Sequence, residues 1–356
     1  MTPFDNFRML VSGAQPQWIP FTLDVGAVPG FTKAVQTKFE AETGATDPAE
    51  YFDFDFRTLS VPAGYGGDDP AKYFSDLPEG TKFDTWGVGH WAGGAEDTYE
   101  MMFPPLATAS TPGEIMDFPV PVINSKGIAE QVEQFHRRGY PVAAYAGSIY
   151  EWSWWLRGME NFMVDLVANP EIAEAIVEKV TDYVLDLALE STKCGIDVLA
   201  FYDDAGHQTG MQISPTMWRQ IIKPAWQRII NQVRSSYPQA VFFLHSCGNI
   251  YPIISDVIEV GFDILHPIQP ECMNAAEIKH EFEAAIIPCA TIGAQRIFAF
   301  GTAEDVKRET MRLMDEVGFD RRCILCPSNI IQPETPWDNI LAFAETARNY
   351  RGGRTG

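Results

Sequence analysis

From about residue 127 onward, apolar β-branched runs and helical patterns alternate at short intervals, which confines the chain to an α/β fold on a parallel sheet. Gly127–Gly139 carries Ile128, Val132 and Phe135 on one helical face and stops on a glycine. Pro141–Tyr145 reads as a strand, and a helical region from about Trp154 to Cys194 follows, interrupted near Asn169–Pro170, where proline suits a first turn. Runs at Asp197–Tyr202, Ala240–Leu244, Asp263–His266, Ala285–Ala290 and Cys323–Leu325 then each lead into a helical pattern. Two earlier runs, Ile19–Asp24 and Tyr51–Phe56, supply the strands needed for eight units. Such a series predicts a (β/α)8 TIM barrel with an N-terminal extension, forming a single domain over residues 1–356. Residues 62–122 break the alternation and are rich in Gly, Pro and aromatics, so they read as an insertion of hairpins or loops over one barrel end. No G-x-G-x-x-G supports a doubly wound dinucleotide fold. The tail Arg351-Gly-Gly-Arg-Thr-Gly356 is expected to be disordered.

A barrel keeps its chemistry at the C-terminal ends of its strands. His245-Ser-Cys247-Gly248 follows the run Ala240–Leu244, and residues two apart on a strand share a face, so the imidazole and thiol converge. A His and a Cys meeting there suggest zinc with an open coordination position. A third ligand has to come from elsewhere. Cys326 is best placed, ending the last strand on the same face as Ile324; Cys289 is second, Cys323 has the wrong parity, and Glu160 is available as an oxygen ligand. Asp203 and Asp204 follow the Asp197–Tyr202 strand and suit a general base, a hydroxyl contact or a group orienting a histidine ligand, or else a helix cap. Adjacent residues on an extended chain face opposite ways, so one of the two faces the pocket. Tyr150 and Trp154, in the segment Tyr150-Glu-Trp-Ser-Trp-Trp155, offer a wall for a flat apolar ligand, or a helix packed on the rim. His207 and Gln208 share the loop after the Asp197–Tyr202 strand and suit substrate contacts or simple packing, and His266, at the end of the Asp263–His266 run, is a further candidate substrate contact.

Charge removes several function classes. Lys plus Arg number 26 against 48 Asp plus Glu, a formal net charge of −22, which repels phosphate backbones and anionic lipid. No run of about 18 apolar residues exists to cross a membrane. The first residues lack a signal-peptide pattern, and the six cysteines have no spacing typical of a disulfide framework. These features predict a cytoplasmic location with reduced thiols.

The motifs together resemble the uroporphyrinogen decarboxylase superfamily. The matching stretches are Leu156-Arg-Gly-Met-Glu160, Phe201-Tyr-Asp-Asp-Ala-Gly206, Ile213-Ser-Pro-Thr-Met-Trp218, Lys223-Pro224 and His245-Ser-Cys-Gly-Asn249. They continue with His266-Pro-Ile-Gln-Pro270, Gly301-Thr-Ala-Glu-Asp-Val306, Pro327-Ser-Asn-Ile-Ile-Gln-Pro-Glu-Thr-Pro336 and Asn339-Ile340, covering about residues 127–350. Within that superfamily the chain is more similar to the corrinoid-dependent methyltransferases. The decarboxylase signature Arg-Gln-Ala-Gly-Arg is replaced by Leu23-Asp-Val-Gly26, and a polycarboxylate porphyrinogen needs cationic partners. In the methyltransferases, His-x-Cys-Gly at this place supplies two zinc ligands. Relatives that methylate a thiol such as coenzyme M carry their third zinc cysteine about where Asn329 stands, so the resemblance leaves the third ligand open. The Pro-Ser-x-x-Ile-Gln-Pro form resembles a branch associated with demethylation of methoxylated compounds. The resemblance thus implies transfer of a methyl group between a small methylated substrate and a corrinoid, assisted by Zn2+ on His245 and Cys247, with Cys326 the third ligand that strand parity favours. With no Asp-x-His-x-x-Gly motif in the chain, the cobalamin is expected on a separate corrinoid protein. A homodimer is the family-based expectation. The rival readings are a metal-free decarboxylase of tetrapyrrole-like acids and a non-catalytic barrel retained for binding.

Overall fold

In a computed structural model, residues 1–92, 101–282 and 285–349 are described; the tail 351–356 lies outside them. Seven strands form one parallel sheet that curls in chain order: β1 (Arg57–Leu59), β2 (Val142–Gly147), β3 (Val198–Tyr202), β4 (Val241–His245), β5 (Ile264–His266), β6 (Ile287–Ile292) and β7 (Ile324–Pro327). The eighth position is filled by the segment around Phe21, which closes the sheet between β7 and the chain entering β1. Phe21 pairs in parallel with Leu325, Leu325 N–H donates to Pro20 O at 2.8 Å, and Asp55 N–H donates to Phe21 O at 2.9 Å. The pairing stays short because Pro20 has no N–H and the Phe21 N–H is taken by the Asp55 carboxylate at 2.8 Å. The architecture is the expected α/β barrel of the TIM type.

One expected strand is displaced. Tyr51–Phe56 alternates like a strand, yet Pro48–Tyr51 is a helical turn, started by the Asp47 carboxylate accepting from the Ala49 and Glu50 N–H groups. Asp53 then turns the chain at φ 54°, and extended pairing begins at Arg57. Phe52 and Phe54 are still buried, but against Phe39 and Trp337 in the outer layer. A local cap outranked the period-two pattern.

Strand parity sorts the two sides of the sheet. Ala143, Val198, Ala200, Val241, Phe243, Ile264, Cys289 and Ile324 fill the barrel interior, where Phe7 and Leu10 of the helix Pro3–Val11 join them. Phe201, Phe242 and Leu244 face outward; Phe201 stacks on Phe242 and meets Trp226 and Phe262 in the layer beneath the helices. Full burial of such side chains contributes about 1.5–3 kcal/mol each. At the C-terminal end of the interior, register pairs His245 with Tyr202 on one side and His266 on the other.

The 62–122 stretch does form short hairpins. Lys82–Phe83, Gly89–Trp91 and Met101–Phe103 make an antiparallel sheet, and Ala63–Gly64 pairs with Val122–Ile123. Arg157 ties the insertion to the barrel: its Nη1 donates to the carbonyls of Leu106, Ala107 and Ala109 at 2.7–3.0 Å, and its Nε to Asp165 at 2.6 Å. Among the described residues no helix is long and apolar enough to cross a membrane.

Candidate metal centre and pocket

β4 ends at His245, and Cys247 lies two residues beyond it, with its sulfur 3.3 Å from His245 Nε2. The Asp204 carboxylate arrives from the loop after β3, 3.5 Å from the same nitrogen. One ligand atom from each of the three lies within 4.8 Å of the others, and among the described residues no other such group of three exists. Tetrahedral zinc bonds of about 2.0 Å to N or O and about 2.3 Å to S place neighbouring S and N atoms about 3.5 Å apart and N and O about 3.3 Å apart. The observed spacings match those edges, so the donors fit a divalent, zinc-like ion.

A hydrogen-bond chain assigns the tautomer that a metal needs. His266 Nε2 lies 2.9 Å from the carbonyl oxygen of Pro327, which only accepts, so that nitrogen carries the proton. With one proton per ring, His266 Nδ1 is bare and accepts from His245 Nδ1–H at 2.9 Å. His245 Nε2 therefore keeps its lone pair, aimed at Cys247 and Asp204. Burial pushes the His245 imidazole down to about 3, keeping it neutral. Burial also pushes the Cys247 thiol up, with the Asp204 and Glu151 carboxylates adding to it. Burial raises Asp204 too, and Glu151 is raised well above its usual range by burial and then by Asp204 and Asp203. A cation among these groups would reverse that balance.

Backbone crossings hold the donors together. The loops after β3 and β4 touch at Gly206 and Gly248, where Asn249 N–H donates to His207 O at 2.9 Å. Asp204 accepts from Cys247 N–H at 2.7 Å, and Gln269 accepts from Gly248 N–H at 2.9 Å. Gly248 has φ 83°, and a Cβ there would fall 2.5 Å from Gly206 C and His207 N. Gly248→Ala should therefore cost about 2–3 kcal/mol of stability from strain and forced movement, read as a lowered urea midpoint.

Above the cluster opens a cavity of about 710 Å³, lined by the loops after β3 to β7. Asp204, His207, Gln208 and Cys247 line it, as do Gln269, Gln295, Asn329, Gln332 and Glu334. Phe300 is its aromatic rim residue.

Several sequence-singled residues sit elsewhere. Cys326 is not in the cluster: β7 continues through Pro327, so Cys326 remains inside the sheet and faces the barrel interior with Ile324, beside Cys289 and His266. Glu160 is exposed on the helix Met159–Ala168. Asp203 is buried and accepts from Ser148 Oγ, the Ile149, Tyr150 and Glu151 N–H groups and Trp226 Nε1, all within 3.2 Å. It caps the helix Tyr150–Arg157 and does not line the cavity. Tyr150 is fully buried, with its hydroxyl on Gln212 at 3.2 Å, and Trp154 packs on the core beside Trp155, so neither lines the cavity. His266 is also fully buried and reaches the site only through His245. Gln269 carries a site contact that sequence reasoning did not assign, although a polar residue just past a strand end was the available signal; Glu151, in the strand-end segment Tyr150–Trp155, accepts from Asp204 N–H at 3.3 Å. Asn329 sits with its Nδ2 3.6 Å from the Cys247 sulfur, its Oδ1 accepting from Ile330 N–H at 2.7 Å.

Comparison with known proteins places this geometry in a lineage. A family model described as uroporphyrinogen decarboxylase (URO-D) matches residues 121–350. A methylcobamide:CoM methyltransferase MtaA of Methanosarcina barkeri is 26% identical over 195 residues, 55% of this chain and 54% of that protein. A uroporphyrinogen decarboxylase of Synechococcus sp. is 24% identical over 183 residues, 51% of this chain and 49% of that protein. The chain thus spans about half the length of the curated relatives it matches. A solved methyltransferase from Methanosarcina mazei shares the fold with a TM-score of 0.68 at 17% identity, covering 98% of this chain and 99% of that one. With the family model covering well over half of it, the chain belongs to the uroporphyrinogen decarboxylase (URO-D) family.

Proposed function

We propose that the chain is a zinc-dependent methyltransferase that moves a methyl group between the heteroatom of a small methylated compound and the cobalt of a corrinoid on a partner protein. The observation that carries this reading is the convergence of His245 Nε2, Cys247 Sγ and an Asp204 oxygen beneath an open cavity. The relative named for methylcobamide chemistry supports the corrinoid half of it. In this reading Asp204 replaces Cys326 as the third protein ligand, and the three donors would hold the ion at the floor of the open cavity.

Zinc bound there supplies Lewis-acid stabilisation of negative charge on the heteroatom that loses or gains the methyl group. The chain's own residues do the rest. His266 holds the His245 ring in the ligand tautomer. Asp204 fixes the Cys247 backbone through one oxygen while its carboxylate charge balances the site. Gln269 pins Gly248, keeping the Cys247 loop in place as substrate binds. Gln208 is held by Gln295 at 2.9 Å, so the wall opposite is ordered before substrate arrives, which lowers the cost of alignment. The decarboxylase alternative asks for cations around a polycarboxylate, and the cavity lining contains neither Lys nor Arg.

Zinc-loaded protein mixed with cob(I)alamin and a panel of aryl methyl ethers, methylamines, methyl thioethers and halomethanes should give donor-dependent methylcobalamin, followed by absorbance. Removing zinc with a chelator should lower the rate by more than about 100-fold, and added zinc should restore it. Zinc-loaded protein inert toward every donor class, or a rate untouched by chelation, overturns the reading.

A further inference from the structure

We propose that the cavity selects methyl-bearing substrates that are uncharged or cationic and rejects those carrying a carboxylate, sulfonate or phosphate; this rests on the methyl-transfer reading above. The charged side chains of the lining are Asp204 and Glu334, and the rest of its hydrogen-bonding capacity is four glutamines, Asn329, Ser328 and His207. Anion sites are built from Arg or Lys, or from the free N–H groups of a helix N-terminus. His207, the one imidazole of the lining, turns its Nδ1 to the Thr209 N–H at 3.3 Å. Arg296, next to the lining residue Gln295, is exposed and outside the lining.

The charge balance follows directly. A divalent ion on one thiolate, one carboxylate and a neutral imidazole is electrically neutral. Glu334 then leaves the cavity negative, within a chain whose net charge is −22. An anionic substrate entering it loses hydration, finds no counter-charge and meets repulsion. An amide-lined wall instead serves hydroxyl, amine and ether groups, which both give and accept hydrogen bonds at no charge cost.

Three thiols with the same two-carbon chain test this as probes: thiocholine, 2-mercaptoethanol and 2-mercaptoethanesulfonate. Each is titrated into the cobalt(II)-loaded protein at low salt, following the thiolate-to-cobalt charge-transfer absorbance that the added thiol contributes beyond that of Cys247, with affinities expressed per thiolate. Thiocholine and 2-mercaptoethanol should bind at least about tenfold more tightly than the sulfonate. Gln295→Lys, which supplies the missing cation, should raise sulfonate affinity about tenfold, and Glu334→Gln should raise it several-fold. Sulfonate binding as tight as, or tighter than, that of the other two overturns the proposal while leaving the metal reading intact. No added absorbance with any of the three, in protein that retains cobalt, overturns the heteroatom-binding reading and this one with it. Protein that holds no cobalt overturns the metal reading itself, and the charge balance used here, before any thiol is added.

Discussion

Cys247→Ser protein should lose metal affinity by more than about 100-fold, while Cys326→Ser protein should keep a full complement of zinc. Loss of a hydrogen-bonding partner behind a ligand already costs roughly 10–100-fold, and loss of a thiolate ligand costs more. Cys247 stands 3.3 Å from the His245 nitrogen, whereas Cys326 faces the barrel interior beside Cys289. Asp204→Asn sharpens the contrast. The asparagine oxygen can still accept from Cys247 N–H, so the loop stays in place, but the anionic ligand is gone. Its zinc affinity should fall at least about tenfold with little change in the urea midpoint. In cobalt(II)-substituted protein, the Cys247→Ser change should remove the sulfur-to-cobalt charge-transfer band entirely, and Cys326→Ser should leave it intact. Retention of the band in Cys247→Ser, or loss of metal in Cys326→Ser, would return Cys326 to the ligand set and remove Asp204 from it.

How much of this was legible in the sequence depends on the length scale of each decision. The barrel was readable because parallel strands buried on both faces produce apolar runs, and Ala240–Leu244 is such a run in a strand that spans Val241–His245. The pairing of His245 with Cys247 needed only parity within one strand and its first loop residues. The third member of the donor cluster was a different problem. Cys326 looked like a strand-end residue, but β7 runs one residue further, which is within the ordinary uncertainty of a strand boundary and enough to keep the thiol inside the barrel. Asp204 reaches Cys247 only because two glycines let the loops after β3 and β4 cross in contact, a tertiary feature that no single segment encodes. The aromatic run from Tyr150 to Trp155 left a ligand wall and a packed helix both open for a related reason, and the packed helix is what forms. Its helix is oriented from the end of the neighbouring strand by Asp203, which turns Trp152 onto Trp86 and Tyr183 and buries Tyr150. Periodicity reveals a helix's apolar stripe; which neighbour that stripe meets is decided elsewhere.

Asp203→Ala should cost about 3–5 kcal/mol of stability, more than any other single substitution suggested by the site's hydrogen bonds. The helix Tyr150–Arg157 has no side-chain cap of its own, because the residue before it is Ile149. Asp203 stands in for that cap: one carboxylate oxygen accepts from the Ile149, Tyr150 and Glu151 N–H groups and from Ser148 Oγ. The other oxygen accepts from Trp226 Nε1 at 3.0 Å. Alanine would leave all five donors buried without a partner and remove a negative charge from a helix N-terminus. Asp203→Asn separates these effects, since its oxygen can serve the helix while its amide N–H groups face the Trp226 N–H. The asparagine change should cost about half as much as alanine, and its penalty should shrink by about 1 kcal/mol in a Trp226→Phe background, where the opposing donor is absent. Urea unfolding of the four proteins in that cycle reads the coupling. The Asp203 side chain reaches the candidate metal site only through Glu151 and the loop carrying Asp204. The direct contacts of Asp203 there, N–H donating to His245 O and O accepting from Ser246 Oγ, are made by its backbone and unchanged, so folded Asp203→Asn protein should still bind zinc within about threefold of the unsubstituted chain. Loss of zinc from a variant whose midpoint has barely moved would instead place the Asp203 carboxylate among the groups that hold the metal.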